Sequence, residues 1–212
     1  MALNRDRVLT AALKIADQEG LDGLTMRKLG AALRVEAMSL YNYFHSKEEL
    51  IAAMIDLVFS EIEVPTRGDW KSAMRRRAIS ALEALARHRW AVGLMESSTR
   101  PGPANLRHHE SVLKRLREAG FSVALTAHAY SALDSYTYGF ALQQITLPFD
   151  TGEQAAEVAE QILGRNVATD YPYLAEIASD HVMRPGYTYR KEFEFGLDLM
   201  LDGLSRALQK RD

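Results

Sequence analysis

The stretch Thr25–Lys47, TMRKLGAALRVEAMSLYNYFHSK, decides how this 212-residue chain is read. Leu29 and Leu33, four apart, put an apolar stripe on one short helix. Thr25 is a good N-cap for it, because a hydroxyl there accepts from an orphan backbone N–H. After a tight turn, a second short helix is expected from about Glu36 to Tyr43, with Leu40 and Phe44 pinned inward. Two short helices joined in this way set the second one into the major groove of DNA. A groove-reading helix needs small or polar side chains on its outer N-terminal face, and Glu36, Ala37, Met38 and Ser39 meet that demand.

The chemistry of the individual side chains divides the expected contacts. Ala37 and Met38 offer apolar contact, for instance to a thymine methyl. Arg27 can grip guanine at two points or clamp a phosphate, and Lys28 lies beside it. Thr25, Tyr41, Tyr43 and Lys47 are expected at phosphate oxygens, which fixes register but carries no base information. Glu36 repels phosphate and serves the helix N-terminus or a cytosine amine. Each of these residues also has a plain structural reading, and the joint pattern is what points to DNA.

Charge follows the same division. Residues 1–47 hold seven Lys and Arg against five Asp and Glu, a net of +2, whereas the whole chain is −2 and residues 48–212 therefore −4. A basic head on an acidic body approaches phosphate with one end only, and its affinity should fall with salt. The composition, 47% hydrophobic and 25% charged, is that of a globular chain with ample length for a core. No cysteine is present, which excludes disulfides and thiolate zinc sites. Apolar runs are too short to span a bilayer, so no membrane association is expected and the cytoplasm is the expected location.

The rest of the chain reads as helix throughout, giving an all-α fold. Val8, Ala12, Ile15 and Ala16 line a first helix that Gly20 should end. Ser46 and Glu49 form the pattern of a capping box opening a fourth helix, whose stripe Leu50, Ile51, Met54, Leu57 and Val58 runs on into the body. Residues 1–47 are thus expected as a DNA-binding domain and 48–212 as a second helical domain. Pro65, Gly68 and Asp69 mark the break after the fourth helix. The next helix begins near Trp70, and its Arg75, Arg76 and Arg77 are expected on a solvated face. Arg100-Pro101-Gly102-Pro103 is the strongest breaker. Further helices are expected over about 105–119, 122–147, 153–163, 173–182 and 190–209.

Thr25–Leu50 resembles the DNA-binding head of the TetR family of bacterial repressors. Leu24-Thr25-Met26-Arg27-Lys28-Leu29 matches the opening of that motif. Leu40-Tyr41-Asn42-Tyr43-Phe44 with Lys47 and Leu50 matches its close. Arg34 departs from the pattern, since the family usually carries glycine in the turn. If Arg34 must be left-handed, the cost is on the order of 1 kcal/mol. The body, from Thr99-Arg100-Pro101 through Ala119-Gly120-Phe121-Ser122 to Tyr138-Gly139, is similar to the tetracycline-repressor branch.

That resemblance implies a homodimer joined through a four-helix bundle, with an effector pocket in each body and double-stranded operator DNA as partner. It implies a repressor released by a small molecule, with an effector-independent or activating regulator as the alternative. An all-helical enzyme is not expected, since no nucleophile–base spacing, phosphate loop or metal signature is visible. The stripe Phe193, Leu197, Met200, Leu201, Leu204 and Leu208 on the last helix is the expected dimerisation face. The drug-gripping positions do not carry over: Glu96 stands for a metal-binding histidine, Ala78 for an asparagine and Val112 for a glutamine. Ser135 stands for a second histidine, and Gln143 for an acidic residue. The effector is therefore expected to be something other than tetracycline. Its expected contacts are Trp90, Glu96, Tyr130, Asp134, Tyr136, Tyr138 and Gln143, each aromatic having core filling as its alternative. His108, His109 and His128 show no ligand spacing, so neither a metal nor a cofactor is expected, although Glu96 leaves two roles open, a hard oxygen ligand or an acceptor for a cationic or hydroxylated effector.

Overall fold

The computed structural model of the chain describes residues 3–64, 66, 68–97, 100–163 and 167–209, so Pro65 and Thr99 lie outside the described residues. Among the described residues there are helices and connections but no strand. The first helix, α1 (Arg5–Gly23), is capped by Asn4, whose side chain accepts from Arg7 N at 2.9 Å. Gly20 breaks it where expected, with φ 73° and ψ 177°, but one more turn follows to Gly23.

α2 (Met26–Leu33) starts at Thr25, whose hydroxyl accepts from Lys28 N at 3.1 Å. Arg34 closes it in the left-handed conformation, φ 59° and ψ 45°. α3 is shorter than expected, Ala37–Leu40, with turns carrying the chain on to Tyr43. α4 (Lys47–Glu61) is capped by Ser46, which accepts from Glu49 N at 3.1 Å. The return bond falls one residue early: Glu49 accepts from His45 N at 2.8 Å rather than from Ser46.

The head buries Val8, Ala12, Ile15, Ala16, Leu24, Leu29, Leu40 and Phe44 together with Leu50 and Met54 of α4. Ile55, Val58 and Phe59 of the same helix belong to the body's core. One rigid helix therefore serves both units. The body continues with α5 (Trp70–Arg87), a 3₁₀ segment (Arg89–Leu94), α6 (Pro103–Glu118) and α7 (Val123–Thr146). After these come α8 (Gly152–Ile162), α9 (Val167–Asp170), α10 (Pro172–Ile177), a π turn (Ala178–Val182) and α11 (Tyr189–Gln209). α6 packs on α4, and α7 is central, touching α5, α6 and α11.

Two expectations are overturned by burial. The arginine run is no single solvated face, because successive helical residues turn by about 100°. Arg75 pairs with Glu194 and Asp198 of α11 at 2.8 Å each, and Arg76 pairs with Glu63 at 3.0 Å. Arg77 points inward and is 1% exposed. On α11, Phe193, Leu197 and Leu201 are buried in the chain's own core, with no surface left for a partner. Leu204 and Leu208 are half-buried against that core, and Met200 is also partly covered. The exposed apolar face of α11 is instead Phe195 and Leu199.

Candidate nucleic-acid interface and effector pocket

The helix-turn-helix closes because Gly30 lets the turn approach: a Cβ there would lie 2.8 Å from the Val35 carbonyl oxygen and 3.2 Å from Ala37 N. Leu40 and Phe44 are fully buried beneath α3. Its outer face carries Met38, 75% exposed, and Tyr41, 39% exposed, where a core role would have hidden them. Thr25, Arg27 and Glu36 are also exposed, while Ala37 and Ser39 are partly so.

Three expected contacts have partners within the head. Lys28 pairs with Glu19 of α1. Lys47 Nζ donates to the Leu21 carbonyl at 3.3 Å, which leaves the ammonium two further N–H groups. Tyr43 gives its one proton to the Leu3 carbonyl at 2.9 Å. A phosphate only accepts, so Tyr43 in this arrangement positions the head rather than donating to DNA. Arg5 was missed in the sequence. Its guanidinium sits 4.0 Å from the Phe44 ring centre and donates to Glu49 and to the Tyr43 carbonyl. An arginine in the first turn of α1 carries no sequence signal for a contact 38 residues away.

Head and body are also tied at a second point. Asp17 of α1 accepts from Trp90 Nε1 at 2.8 Å and contacts His88 Nδ1 at 2.7 Å, while His88 Nε2 lies 3.2 Å from Glu61 of α4. Trp90 is thus engaged at the junction, which removes it from the expected effector contacts. Tyr136 is also core: its hydroxyl donates to the Phe193 carbonyl at 3.0 Å and its ring stacks on Phe193. Gln143 is exposed and accepts from Tyr189 at 3.4 Å.

Glu96, Tyr130, Asp134 and Tyr138 do come together. Tyr138 donates to Glu96 Oε1 at 3.3 Å, and Tyr130 hydrogen-bonds His109 Nδ1. Glu96, His109 and Tyr130 line a cavity of about 240 Å³ with Met95, Pro101 and Asn105. A carboxylate oxygen of Asp134 lies within 4.8 Å of the facing atoms of both Glu96 and His109. Both phenols are pushed up from their ordinary pKa, first by burial and then by the Asp134 carboxylate, so both stay protonated.

Beneath these groups lies a pair that sequence reasoning missed. Arg77 forms an ion pair with Asp134, and its Nε donates to His108 Nε2 at 2.9 Å. Arg77, His108 and Asp134 are 1%, 1% and 5% exposed. Burial works against the guanidinium charge, but Asp134 beside it holds the Arg77 pKa up. Burial, then the Arg77 charge, pulls the His108 pKa down to about 3, so its imidazole is neutral. Asp134 Oδ2, Arg77 Nη2 and His108 Nδ1 are buried without a hydrogen-bond partner. The available signal was position. Arg77 falls in the inward series Ala73, Ala81 and Leu85 of α5, and His108 in the series Ala104, Val112 and Leu116 of α6.

This arrangement, a helix-turn-helix head fused to a helical body, defines a DNA-binding transcriptional regulator. Residues 8–54 match the family described as "Bacterial regulatory proteins, tetR family", and residues 64–208 match "Tetracyclin repressor-like, C-terminal domain". The chain belongs to the TetR family. It is 33% identical over 222 residues to the HTH-type transcriptional repressor DrrR1 of Streptomyces coeruleorubidus, covering 99% of this chain and 80% of that protein. It is 29% identical to the tetracycline repressor class A of transposon 1721 from Escherichia coli, over 96% of this chain and 91% of that protein. Among solved structures, the Streptomyces coelicolor TetR family protein ActR in complex with actinorhodin superposes with a TM-score of 0.77 at 27% identity, over 98% of this chain and 99% of that one. No described helix is long and apolar enough to cross a membrane.

Proposed function

We propose that the chain acts as a homodimeric repressor that a small molecule other than tetracycline releases from its operator. The observation that carries the DNA-reading part is the exposure of Met38 and Tyr41 above buried Leu40 and Phe44. Arg27, Ala37, Met38 and Ser39 face base edges in this reading, while Thr25, Tyr41, Lys28 and Lys47 hold phosphates. Two copies joined in parallel register place their α3 helices one DNA turn apart, about 34–36 Å.

For dimerisation we assign the outer faces of α7 and α11, where Val123, Leu142, Phe195 and Leu199 are 72%, 53%, 66% and 57% exposed. Four large apolar side chains on two packed helices are costly to leave in water, and a second copy covers them. For the effector we assign the cavity at Glu96, His109 and Tyr130, floored by Asp134 and Tyr138. Ala78 and Val112, which stand where the tetracycline repressor grips its drug, are 1% and 0% exposed and offer no polar anchor. Effector binding there reaches the head through two routes, α6 on α4 and the 3₁₀ segment on α1. Footprinting on genomic fragments tests the proposal. Protection of an inverted repeat with half-sites one turn apart is expected; saturable binding to no sequence would contradict it.

A further inference from the structure

We propose that Glu96, His109 and Asp134 form a binding site for one divalent transition-metal ion per chain, of the zinc or manganese kind. The expectation that no metal is bound came from the absence of ligand spacing along the sequence. The three residues meet only in space, from the segment after the 3₁₀ helix, from α6 and from α7. Their facing atoms all lie within 4.8 Å of one another, and His109 Nε2 is 4.0 Å from Glu96 Oε1. Two ligands at about 2.0–2.2 Å from one ion are separated by roughly 3.3–4.3 Å, so small side-chain rotations complete the site.

An independent observation is that Asp134, 5% exposed, has a buried Oδ2 with no hydrogen-bond partner. Leaving a carboxylate oxygen dry and unpaired is costly unless something binds it. Each ligand is also held by a neighbouring side chain, as ligating side chains are. Arg77 holds Asp134 Oδ1, leaving Oδ2 over. Tyr130 engages His109 Nδ1; with that N–H donated to the phenol oxygen, Nε2 turns its lone pair toward Glu96. Tyr138 donates to Glu96. One imidazole nitrogen with two carboxylate oxygens favours zinc or manganese over magnesium, which prefers oxygen and water alone. The two carboxylates and Arg77 sum to −1, which a divalent ion brings to +1.

The ion would lie in the cavity assigned above to the effector, so its regulatory meaning rests on that reading. Its binding does not. The test therefore uses the free full-length protein without DNA or organic ligand. Protein stripped with a chelator is titrated calorimetrically with zinc chloride and with manganese chloride. The expected result is one ion per chain, weakened at least tenfold by Glu96→Gln and by His109→Gln, and unchanged by His128→Gln, which alters an exposed histidine. Neither Glu96 nor His109 lies in the core, so both variants should melt like the parent; if one does not fold, the other decides. No uptake by the parent protein would overturn the proposal, as would parent-like uptake by either folded variant.

Discussion

At Arg34 the backbone takes φ 59° and ψ 45°, a conformation in which a Cβ crowds the following carbonyl. It is the one described non-glycine residue with positive φ. Glycine relieves that contact, so Arg34→Gly should raise stability by about 1 kcal/mol, net of the greater freedom of the unfolded chain. Urea unfolding measures this, and an unchanged or lower midpoint would show that the arginine side chain supplies an equal contribution. Arg34 was legible in the sequence as a departure from the turn's usual glycine. Gly30, four residues earlier, was not, because only the folded turn shows the Val35 carbonyl crowding it.

Among the elements, α5, α6 and α7 are locked by the buried Arg77–Asp134 pair with His108. Removing one partner strands the other's charge in a dry interior, so Arg77→Leu should cost about 3–5 kcal/mol. Arg77→Leu with Asp134→Leu should recover most of that loss in chemical denaturation; a double variant as weak as the single would mean that packing dominates. The same group sets a pH dependence. The unfolded chain protonates His108 near its ordinary 6.5, whereas the fold resists until about 3. Stability from this residue is therefore complete above 6.5 and falls as pH drops toward 3, by up to ~1.4 kcal/mol per pH unit. His108→Asn should flatten the melting profile over that range relative to the parent protein, and parallel profiles would exclude the histidine as the cause. The helices themselves were legible from period and caps: Thr25 and Ser46 both cap where they stand. The inward turn of Arg77 was not, since an arginine on an apolar stripe needs Asp134, 57 residues away, to make burial tolerable.

Across the whole molecule, sequence pattern reached the division of labour but not which faces remain free. The strongest stripe on α11, Phe193, Leu197 and Leu201, was assigned to a partner, yet the chain's own core takes it. Periodicity identifies an apolar face without saying which neighbour covers it. Of the effector candidates, Glu96, Tyr130, Asp134 and Tyr138 converge, while Trp90 and Tyr136 were claimed by the head junction and by α11. The dimer proposal therefore rests on Phe195 and Leu199. Phe195→Lys with Leu199→Lys should yield monomers in analytical ultracentrifugation while the helical signal is retained, and a persistent dimer would place the interface elsewhere. Loss of the dimer should also weaken binding to a full operator far more than to a half-site.

The proposed function turns on one end of the molecule, the outward face of α3 with Arg27 beside it. Titrating a labelled operator with the parent protein, Arg27→Ala and Tyr41→Ala under one salt condition, and following fluorescence anisotropy, tests that directly. Each variant should keep its fold and lose about 1–3 kcal/mol of binding free energy. Parent-like affinity in both would contradict the assignment of this face to DNA.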